Sequence, residues 1–507
     1  MSQGFLIRYS PQPAAAVTPR FSVRGTPQCA QQAWAHGQLH TAVVQPDAAE
    51  NTLLYFCGQL NNLAALAGQL ADRGLAPGSF DSAAACVRAL YRYYGAPGLR
   101  MLDGLFVGAF IEDDKLVAFA SKTPGPSLYY HLNPATGGAV VCTELKSLAA
   151  AERRLRPFND LMAEADAQRA LNTCLHEVFR VRAGHCVEIT LGAALQAQDT
   201  EYYSARRAIT LFDPAAAGVQ LRAVLRQAVH DLPGRSAYCL VSGGLDSSIV
   251  AHYAQQRFDA LTLFSLGTPA RNEFAQADAF GASIGLPVQH LLIDDAQFMQ
   301  TLPELVALTE HCFSTFTEYL IPVHLAHQQT GHAADIMLSG YGSDVLFAGF
   351  AQRGDALRQT SALVESEYAS TGWANEASQC LGGATGLNIG YPFFDSRVVD
   401  TAFAIDPALK HLHGVEKYVL REAFRGVLDD AVIARRKVGI HQGTGCEDYF
   451  TAQLQAEQRQ RTRRVKDALC YLVLEHVVAG SAEVASLDMP QLQRAARQLA
   501  GVEAAVA

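Results

Sequence analysis

The feature that most constrains the fold is an apolar strand that runs directly into a glycine-rich loop and then into a helix. Residues 238–241 are apolar, the loop SGGLDSS occupies residues 242–248, and apolar side chains continue at helical spacing through Ile249 and Val250. Adjacent glycines let a backbone approach an anion closely. A helix that begins there offers unpaired N–H groups and a positive dipole end. The stretch therefore predicts a phosphate-binding loop.

A carboxylate within this loop adds a second constraint. Asp246 would repel phosphate unless a cation lay between them, which indicates Mg²⁺. The simpler alternative is an ordinary turn, and the loop lacks the Gly-Lys-Ser/Thr of a P-loop. The motif SGGLDSS resembles the loop of the ATP pyrophosphatase (PP-loop) family, whose members cleave ATP between its α- and β-phosphates. The resemblance implies that ATP contacts Val241, Ser242, Gly243, Gly244, Asp246, Ser247 and Ser248.

Size and composition limit the classes of protein that fit. A chain of 507 residues exceeds one compact core, so two or three domains are expected. Apolar residues make up 49% and charged residues 18%, which is typical of a globular protein. The net charge of −9 gives no indication of a nucleic-acid or acidic-membrane partner.

Several features indicate a cytoplasmic location. The 11 cysteines are scattered and none is spaced as CxxC, which favours reduced, buried thiols. No apolar run approaches the about 18–20 residues that span a bilayer. The N-terminus also lacks the pattern of a signal peptide.

Residues 206–507 alternate strands and helices, which predicts an α/β domain with a parallel sheet. Strands are expected at residues 237–241, 261–265, 288–293 and 335–338. Helices are expected at residues 213–232, 248–256, 272–284, 297–309 and 320–329. Ligands of such sheets bind at the carboxyl ends of the strands.

The apolar patterns of residues 1–205 predict a separate, β-rich α+β domain. Strands are expected at residues 5–9, 42–44, 52–57, 105–111, 116–121, 127–132, 139–142 and 183–189. Helices are expected at residues 61–73, 82–94 and 158–171.

Four motifs give this first part a resemblance to the glutamine amidotransferase domain of asparagine synthetases. They are CGQLNN at 57–62, DGLF at 103–106, PSLYY at 126–130 and TELKSL at 143–148. The resemblance implies an Ntn-hydrolase-like αββα sandwich. Those enzymes need a cysteine after the initiator methionine, whereas this chain has Ser2. Cys57 and Gln59 replace the expected asparagine and glutamate. We therefore expect a degenerate domain without glutaminase activity; the alternative is a Ser2 nucleophile.

A second glycine-rich loop, SGYGSD at residues 339–344, follows another apolar strand. Because the carboxyl ends of parallel strands meet at one edge, Asp344 is expected to face Asp246. The two carboxylates would share Mg²⁺ with the pyrophosphate of ATP. Each aspartate alone could instead cap the helix that follows it.

Positions at which this chain differs from asparagine synthetases indicate which reaction it catalyses. Those enzymes carry Glu-Gly-Ser-Asp where this chain has Tyr341-Gly-Ser-Asp. With Glu376 and the segments 416–421 and 435–443, the whole chain resembles the β-lactam and carbapenam synthetases. Their Tyr–Glu dyad and lysine close the ring, which implies catalytic roles for Tyr341, Glu376 and Lys437. Otherwise these residues would be a pocket wall, a surface helix residue and part of a solvated basic cluster.

The resemblance also implies the remaining contacts. Further ATP contacts are expected at Ser265, Leu266, Gly340 and Lys417, and substrate contacts at Tyr319, Tyr341, Gly342 and Glu376.

The expected reaction is adenylation of the carboxylate of a β-amino acid, followed by intramolecular amide formation that releases AMP and pyrophosphate. Tyrosine, with a pKa of about 10, is a poor base alone. We therefore expect Glu376 to take up the proton of the amine and Lys437 to stabilise the oxyanion. Two other functions stay open: an amide synthetase that uses a separate amine, and a nucleotide-binding regulatory protein without turnover. A homodimer or a homotetramer stays open as well.

Overall fold

The computed structural model describes most of the chain. The described ranges are 4–11, 28–34, 37–44, 54–74, 83–148, 154–192, 195–330, 334–351, 357–374, 380–385, 387–454, 459–480 and 484–501. They divide into two compact units. The first contains the described residues up to 156, residues 163–207 and those of 369–379. The second contains residues 157–162 and the described residues of 208–368 and 380–507.

The first unit contains two antiparallel sheets. Its strands are β1 Gly4–Ser10, β2 Gln28–Trp34, β3 Gly37–Val44, β4 Leu54–Leu60, β5 Gly104–Glu112, β6 Lys115–Ala120, β7 Tyr129–Asn133, β8 Gly138–Cys142, β9 Val178–Arg180, β10 His185–Thr190 and β11 Gln196–Glu201. One sheet has the order β2-β3-β1-β8-β7-β9 and the other the order β11-β10-β6-β5-β4. The helical segments up to residue 207 are Leu63–Asp72, Ala83–Tyr94, Ala96–Met101 (3₁₀), Phe158–Ala163 and Asp166–Arg169.

Alternation along β5 shows how this unit builds its core. Val107 and Ala109 pack between the two sheets. Phe106 and Phe110 point to the opposite face, where they pack against residues of the helices Leu63–Asp72 and Ala83–Tyr94. Successive strand side chains point to opposite faces, so one apolar strand serves two layers. The result is a sheet-on-sheet arrangement with helices on the outer face of the five-stranded sheet.

The predicted elements of this unit are largely confirmed, with one correction. All eight predicted strands and the helices at 61–73 and 82–94 are present, while β2, β9 and β11 were not predicted. The single helix predicted at 158–171 is wrong. The chain turns after Ala163 because the Glu164 carboxylate accepts hydrogen bonds from Arg156 (2.9 Å) and Asn172 (2.7 Å). Cys57 and Gln59 lie on β4, and Ser2 lies outside the described residues.

The second unit is built on a five-stranded parallel sheet. Its strands are β12 Ser236–Leu240, β13 Ala260–Gly267, β14 Val288–Leu292, β15 Ile336–Leu338 and β16 Asn388–Gly390, with a small hairpin of β17 His411–Leu412 and β18 Val415–Glu416. The order is β14-β13-β12-β15-β16, and every pairing is parallel. The four predicted strands are confirmed, and β16 was not predicted.

Helices surround this sheet. From residue 208 onward they are Pro214–His230, Leu245–Arg257, Phe274–Ser283, Asp295–Thr309, Ser314–Thr330, Ser343–Leu346, Leu357–Ala374, Cys380–Thr385, Ser396–Ala404, Tyr418–Phe424, Asp430–Ala434, Ile440–Gly443, Cys446–Leu454, Arg459–Ala479 and Met489–Leu499, with 3₁₀ turns at Pro392–Phe394, Pro407–Leu409 and Val484–Ser486. Within the described chain, none of the helices has the length and apolarity needed to cross a membrane.

The strand order reverses between β12 and β15. Cys239 of β12 pairs with Leu263 of β13 on one side and with Leu338 of β15 on the other. All three side chains are fully buried, as expected for a parallel sheet covered on both faces. In open α/β sheets, ligands bind at such a reversal, beyond the carboxyl ends of the strands. The loops after β12 and β15 are the two glycine-rich loops identified in the sequence.

Candidate active site

The two glycine-rich loops touch each other. A Cβ atom added to Gly340 would lie 2.7 Å from the backbone nitrogen of Ser247 and 2.7 Å from the carbonyl carbon of Asp246. The Ser343 hydroxyl donates a hydrogen bond to Asp246 Oδ1 at 2.7 Å. The absence of a side chain at Gly340 therefore lets the second loop lie directly on the start of the helix Leu245–Arg257, which brings Asp344 towards Asp246.

The first loop depends on its own glycine. Gly243 has φ of +66°, and an added Cβ would lie 2.3 Å from the carbonyl oxygen of Gln276. The Gly244 N–H donates to Ser242 Oγ (3.3 Å), and the Ser247 hydroxyl donates to the Gly244 carbonyl (3.3 Å). These bonds hold the turn at the start of the helix Leu245–Arg257. The first turn of that helix carries Asp246.

Lys417 lies between the two aspartates. Its ammonium nitrogen is 2.5 Å from Asp246 Oδ2 and 2.6 Å from Asp344 Oδ1, and the residue is 1% exposed. Its backbone has a left-handed φ of 54°, which is unfavourable for a side chain that bears a Cβ. Such strain persists where the surroundings fix the residue in place, here through two ion pairs. The sequence analysis predicted Lys417 as an ATP contact, which stays a prediction, and did not predict that Lys417 joins the two carboxylates.

Lys437 approaches the same carboxylates. Its ammonium nitrogen is 2.6 Å from Asp344 Oδ2 and 3.8 Å from Asp246 Oδ2. About a quarter of its side chain, 26%, stays exposed, in contrast to the buried Lys417. The two lysines therefore differ in exposure: Lys417 is buried between the aspartates, and Lys437 is partly exposed to solvent.

Charge pairing sets the ionisation of this cluster. Burial acts to raise the pKa of Asp344, but Lys417 and Lys437 outweigh it and lower the pKa to about 2. Burial likewise acts to lower the pKa of Lys437, but the carboxylates of Asp344 and Asp246 raise it above its ordinary value. At neutral pH, Asp344 is therefore a carboxylate and Lys437 an ammonium, as an electrostatic role requires.

A further ion pair ties the segment before Lys437 to the first loop. Arg435 donates to the carbonyl oxygen of Ser242 and to Glu273 Oε1. Burial raises the pKa of Glu273, while Arg435 and Lys437 act to lower it. Sequence patterns did not identify either partner, because Arg435 stands in a run of basic residues that is typical of a solvated surface. The neighbouring Arg436 is indeed exposed.

Tyr341 lies in the second loop, half-buried among aromatic rings. Its ring centroid is 6.0 Å from that of Tyr391 and 5.5 Å from that of Phe394. Gly342 has φ of +101° and packs against Phe394. Glu376, its predicted catalytic partner, lies outside the described residues, so the dyad stays a prediction.

Tyr319, the remaining predicted substrate contact, lies on the helix Ser314–Thr330. Its ring makes an edge contact with His441, with centroids 4.5 Å apart. His441 belongs to the short helix Ile440–Gly443, which begins three residues after Lys437. Tyr319 is therefore tied to the part of the chain that carries the exposed lysine.

The other predicted ATP contacts lie at the ends of β12 and β13. The Val241 N–H donates to the carbonyl of Phe264 at 2.8 Å, which extends the sheet by one residue. Ser265 and Leu266 lie on β13 and are buried. Ser248 is fully buried on the helix Leu245–Arg257, and its hydroxyl has no hydrogen-bond partner among the described residues. The side chain of Ser248 thus lies beneath the loop and not on its surface.

The donor set suits Mg²⁺ bound together with phosphates. Mg²⁺ sites of this kind use one or two carboxylates, with phosphates and water completing the shell. Asp246 and Asp344 supply two carboxylates on touching loops. A dedicated cage of protein ligands is not seen, since the described residues contain no group of three or more His, Cys, Asp or Glu side chains that could hold a metal.

Comparison with known proteins assigns the chain to a family. The Asparagine synthase family model matches residues 220–380 and 380–477, slightly more than half of the chain. This region contains both glycine-rich loops, Lys417 and Lys437. The chain belongs to the asparagine synthase family.

Among individual relatives, one matches nearly end to end. The chain is 27% identical to the carboxyethyl-arginine beta-lactam-synthase of Streptomyces clavuligerus over 97% of this chain and 96% of the relative. It is 24% identical to the glutamine-hydrolyzing asparagine synthetase of Rattus norvegicus, over 68% of this chain and 64% of that relative. Among solved structures, the glutamine PRPP amidotransferase of B. subtilis is 13% identical over 52% of this chain and 60% of its own, but a TM-score of 0.23 does not establish a shared fold.

Proposed function

We propose that this protein is an ATP- and Mg²⁺-dependent β-lactam synthetase. It adenylates the carboxylate of a β-amino acid and closes the ring by intramolecular amide formation, releasing AMP and pyrophosphate. The observation that carries the proposal is the position of Lys437. Its side chain is partly exposed, and its ammonium lies 2.6 Å from Asp344 Oδ2. Asp344 follows Tyr341 by three positions in the sequence. The Lys437 ammonium therefore lies at one carboxylate of the ATP-activating loops, and Tyr341 belongs to the same loop as that carboxylate.

The activation half of the site comes from the glycine-rich loops. The substrate carboxylate attacks the α-phosphorus of ATP, and the bond to pyrophosphate breaks. The loop residues Ser242 to Ser247 supply N–H and hydroxyl donors for the phosphates. Asp246 and Asp344 would hold Mg²⁺, which neutralises charge on the leaving pyrophosphate when bound. Lys417 keeps the two aspartates together.

Lys437 and Tyr341 are proposed to serve the ring-closing half. The amine attacks the acyl carbon, the bond to AMP breaks, and the amine proton passes to Tyr341, with Glu376 as its final acceptor. Lys437 stabilises the oxyanion of the tetrahedral intermediate. General-base assistance of this kind is typically worth about 10²–10⁴-fold in rate. Tyr319 and Gly342 are proposed to contact the substrate.

The two predicted domains take different roles in this proposal. Residues 1–205 form a degenerate, Ntn-hydrolase-like amidotransferase domain of αββα layers that makes no ammonia, because Cys57 and Gln59 replace the glutamine-binding pattern. Residues 206–507 form the PP-loop synthetase domain. We further propose a cytoplasmic protein, since thiols such as Cys86 and Cys239 are buried and not in disulfides. A homodimer or a homotetramer is proposed as its assembly.

A substrate panel tests the function. Purified protein with ATP and Mg²⁺ should release pyrophosphate only with a suitable β-amino acid, and mass spectrometry should show a product lighter than the substrate by one water. A product that joins two molecules would instead identify an intermolecular amide synthetase. ATP binding without AMP formation across the panel would identify a regulatory protein.

A further inference from the structure

A buried guanidinium joins the two chain segments that deliver the lysines. Arg421 is 5% exposed. Its Nε donates to the carbonyl of Glu416 (2.9 Å) and its Nη2 to Glu416 Oε1 (2.7 Å). Its Nη1 donates to the carbonyl of Arg435 (2.8 Å) and to that of Ile433. An arginine has five N–H groups. Arg421 makes two of these four hydrogen bonds to residue 416 and two to residues 433 and 435, so its guanidinium connects the two segments.

Glu416 completes the connection. Its Oε1 accepts the bond from Arg421 and also accepts the backbone N–H of Lys437 at 3.3 Å. Glu416 immediately precedes Lys417, so one Arg–Glu pair lies against the backbone beside both lysines. The side-chain hydrogen bonds and ion pairs of Arg421 and Glu416 within the described chain go to each other and to residues 433, 435 and 437, and not to Asp246 or Asp344.

The two lysines depend on this pair to different degrees. Lys417 is also held by two carboxylates and lies at the start of the helix Tyr418–Phe424. Residues 435–439 form neither helix nor strand. The backbone N–H of Lys437 is held by its hydrogen bond to Glu416 Oε1. Loss of the pair should therefore displace Lys437 more than Lys417.

We propose that Arg421, acting through Glu416, is a positioning residue that sets the distance of Lys437 from Asp344 for ring closure. The inference rests on the proposed function and adds to it a group that does not touch the substrate. Because Lys437 serves ring closure, its displacement slows that step more than adenylation. Pyrophosphate is released when the acyl-adenylate forms. The accumulated acyl-adenylate is then hydrolysed by water to AMP and the free β-amino acid, without cyclic product. The ratio of pyrophosphate to product should rise above that of the wild type.

Arg421→Lys tests this, because it keeps the charge but loses the fork of donors. We expect product formation to fall by about 10²-fold, since a small misplacement of a catalytic group has that effect. Pyrophosphate release should fall less, and KM for ATP should change little. Glu416→Gln keeps an oxygen acceptor and should be milder than Glu416→Ala. Arg425→Ala is the matched control, because Arg425 forms an exposed ion pair with Glu422 just beyond the same helix.

A second measurement does not depend on turnover. The Lys437 ammonium lies against Asp344 Oδ2 at 2.6 Å, so a displaced Lys437 should be more accessible to an amine-reactive label and react faster in Arg421→Lys than in the wild type or in Arg425→Ala. Equal losses of pyrophosphate and product in a folded variant, or unchanged labelling of Lys437, would overturn the inference. If the wild type makes no cyclic product, the proposed function fails, while labelling still decides whether Arg421 positions Lys437.

Discussion

Replacement of Lys437 by methionine removes the ammonium while keeping a long, flexible side chain. Lys437 lies 2.6 Å from Asp344 Oδ2 and is partly exposed. Asp344 would keep its second partner, because Lys417 lies 2.6 Å from Oδ1. The variant should therefore fold, and its main defect should be catalytic.

The expected size of that defect follows from the proposed role. One donor aimed at an oxyanion is worth about 3–4 kcal/mol, which corresponds to about 10²–10³-fold in rate. We therefore expect Lys437→Met to lose cyclic product by at least two orders of magnitude, with a smaller change in KM for ATP. Product is measured by mass spectrometry and pyrophosphate by a coupled assay in the same reaction.

A neighbouring residue provides the control. Arg436→Met removes an exposed positive charge next to Lys437, and it should leave product formation close to wild type. Product formation by Lys437→Met at the wild-type rate would refute the role in ring closure. Equal losses in both variants would show that net charge of the segment, and not the ammonium at Asp344, is what matters.

Three further predictions concern the loops and the buried charges. Gly340→Ala should abolish pyrophosphate release, because the new Cβ would lie 2.7 Å from backbone atoms of the helix Leu245–Arg257. Gly372→Ala should be active, because its Cβ would meet no atom of the described residues within 4 Å. Lys417→Met should lower the free energy of unfolding in urea by about 3–5 kcal/mol, because it removes the buried cation between the two carboxylates and leaves Asp246 3.8 Å from the partly exposed Lys437; a loss as small as that of a surface variant would contradict this. Asp344 has a folded pKa lowered from 3.8 to about 2, so its contribution to stability is present above pH 4 and is lost as the pH falls through that interval. Urea unfolding of Asp344→Asn should therefore depend less on pH there, and an unchanged pH dependence would refute the assignment.

Local sequence patterns predicted most of the sheet. The strands β12 to β15 and both glycine-rich loops follow from short apolar runs and the glycines after them, which act within a few residues. The edge strand β16 escaped prediction because Asn388–Gly390 has a single apolar side chain, between an asparagine and a glycine, and forms by pairing with β15. The division of the predicted helix 158–171 likewise depends on side chains beyond its ends, at Arg156 and Asn172.

The sequence by itself determined that two aspartate-bearing glycine loops each follow an apolar strand, because strand, turn and helix signals are local. It also identified Lys417 and Lys437, but only through a family resemblance. Tertiary structure alone decided that Lys417 lies buried between Asp246 and Asp344 while Lys437 stays partly exposed. Charge pairing acts through space between segments as far apart as residues 246 and 437, and no local pattern records such distances.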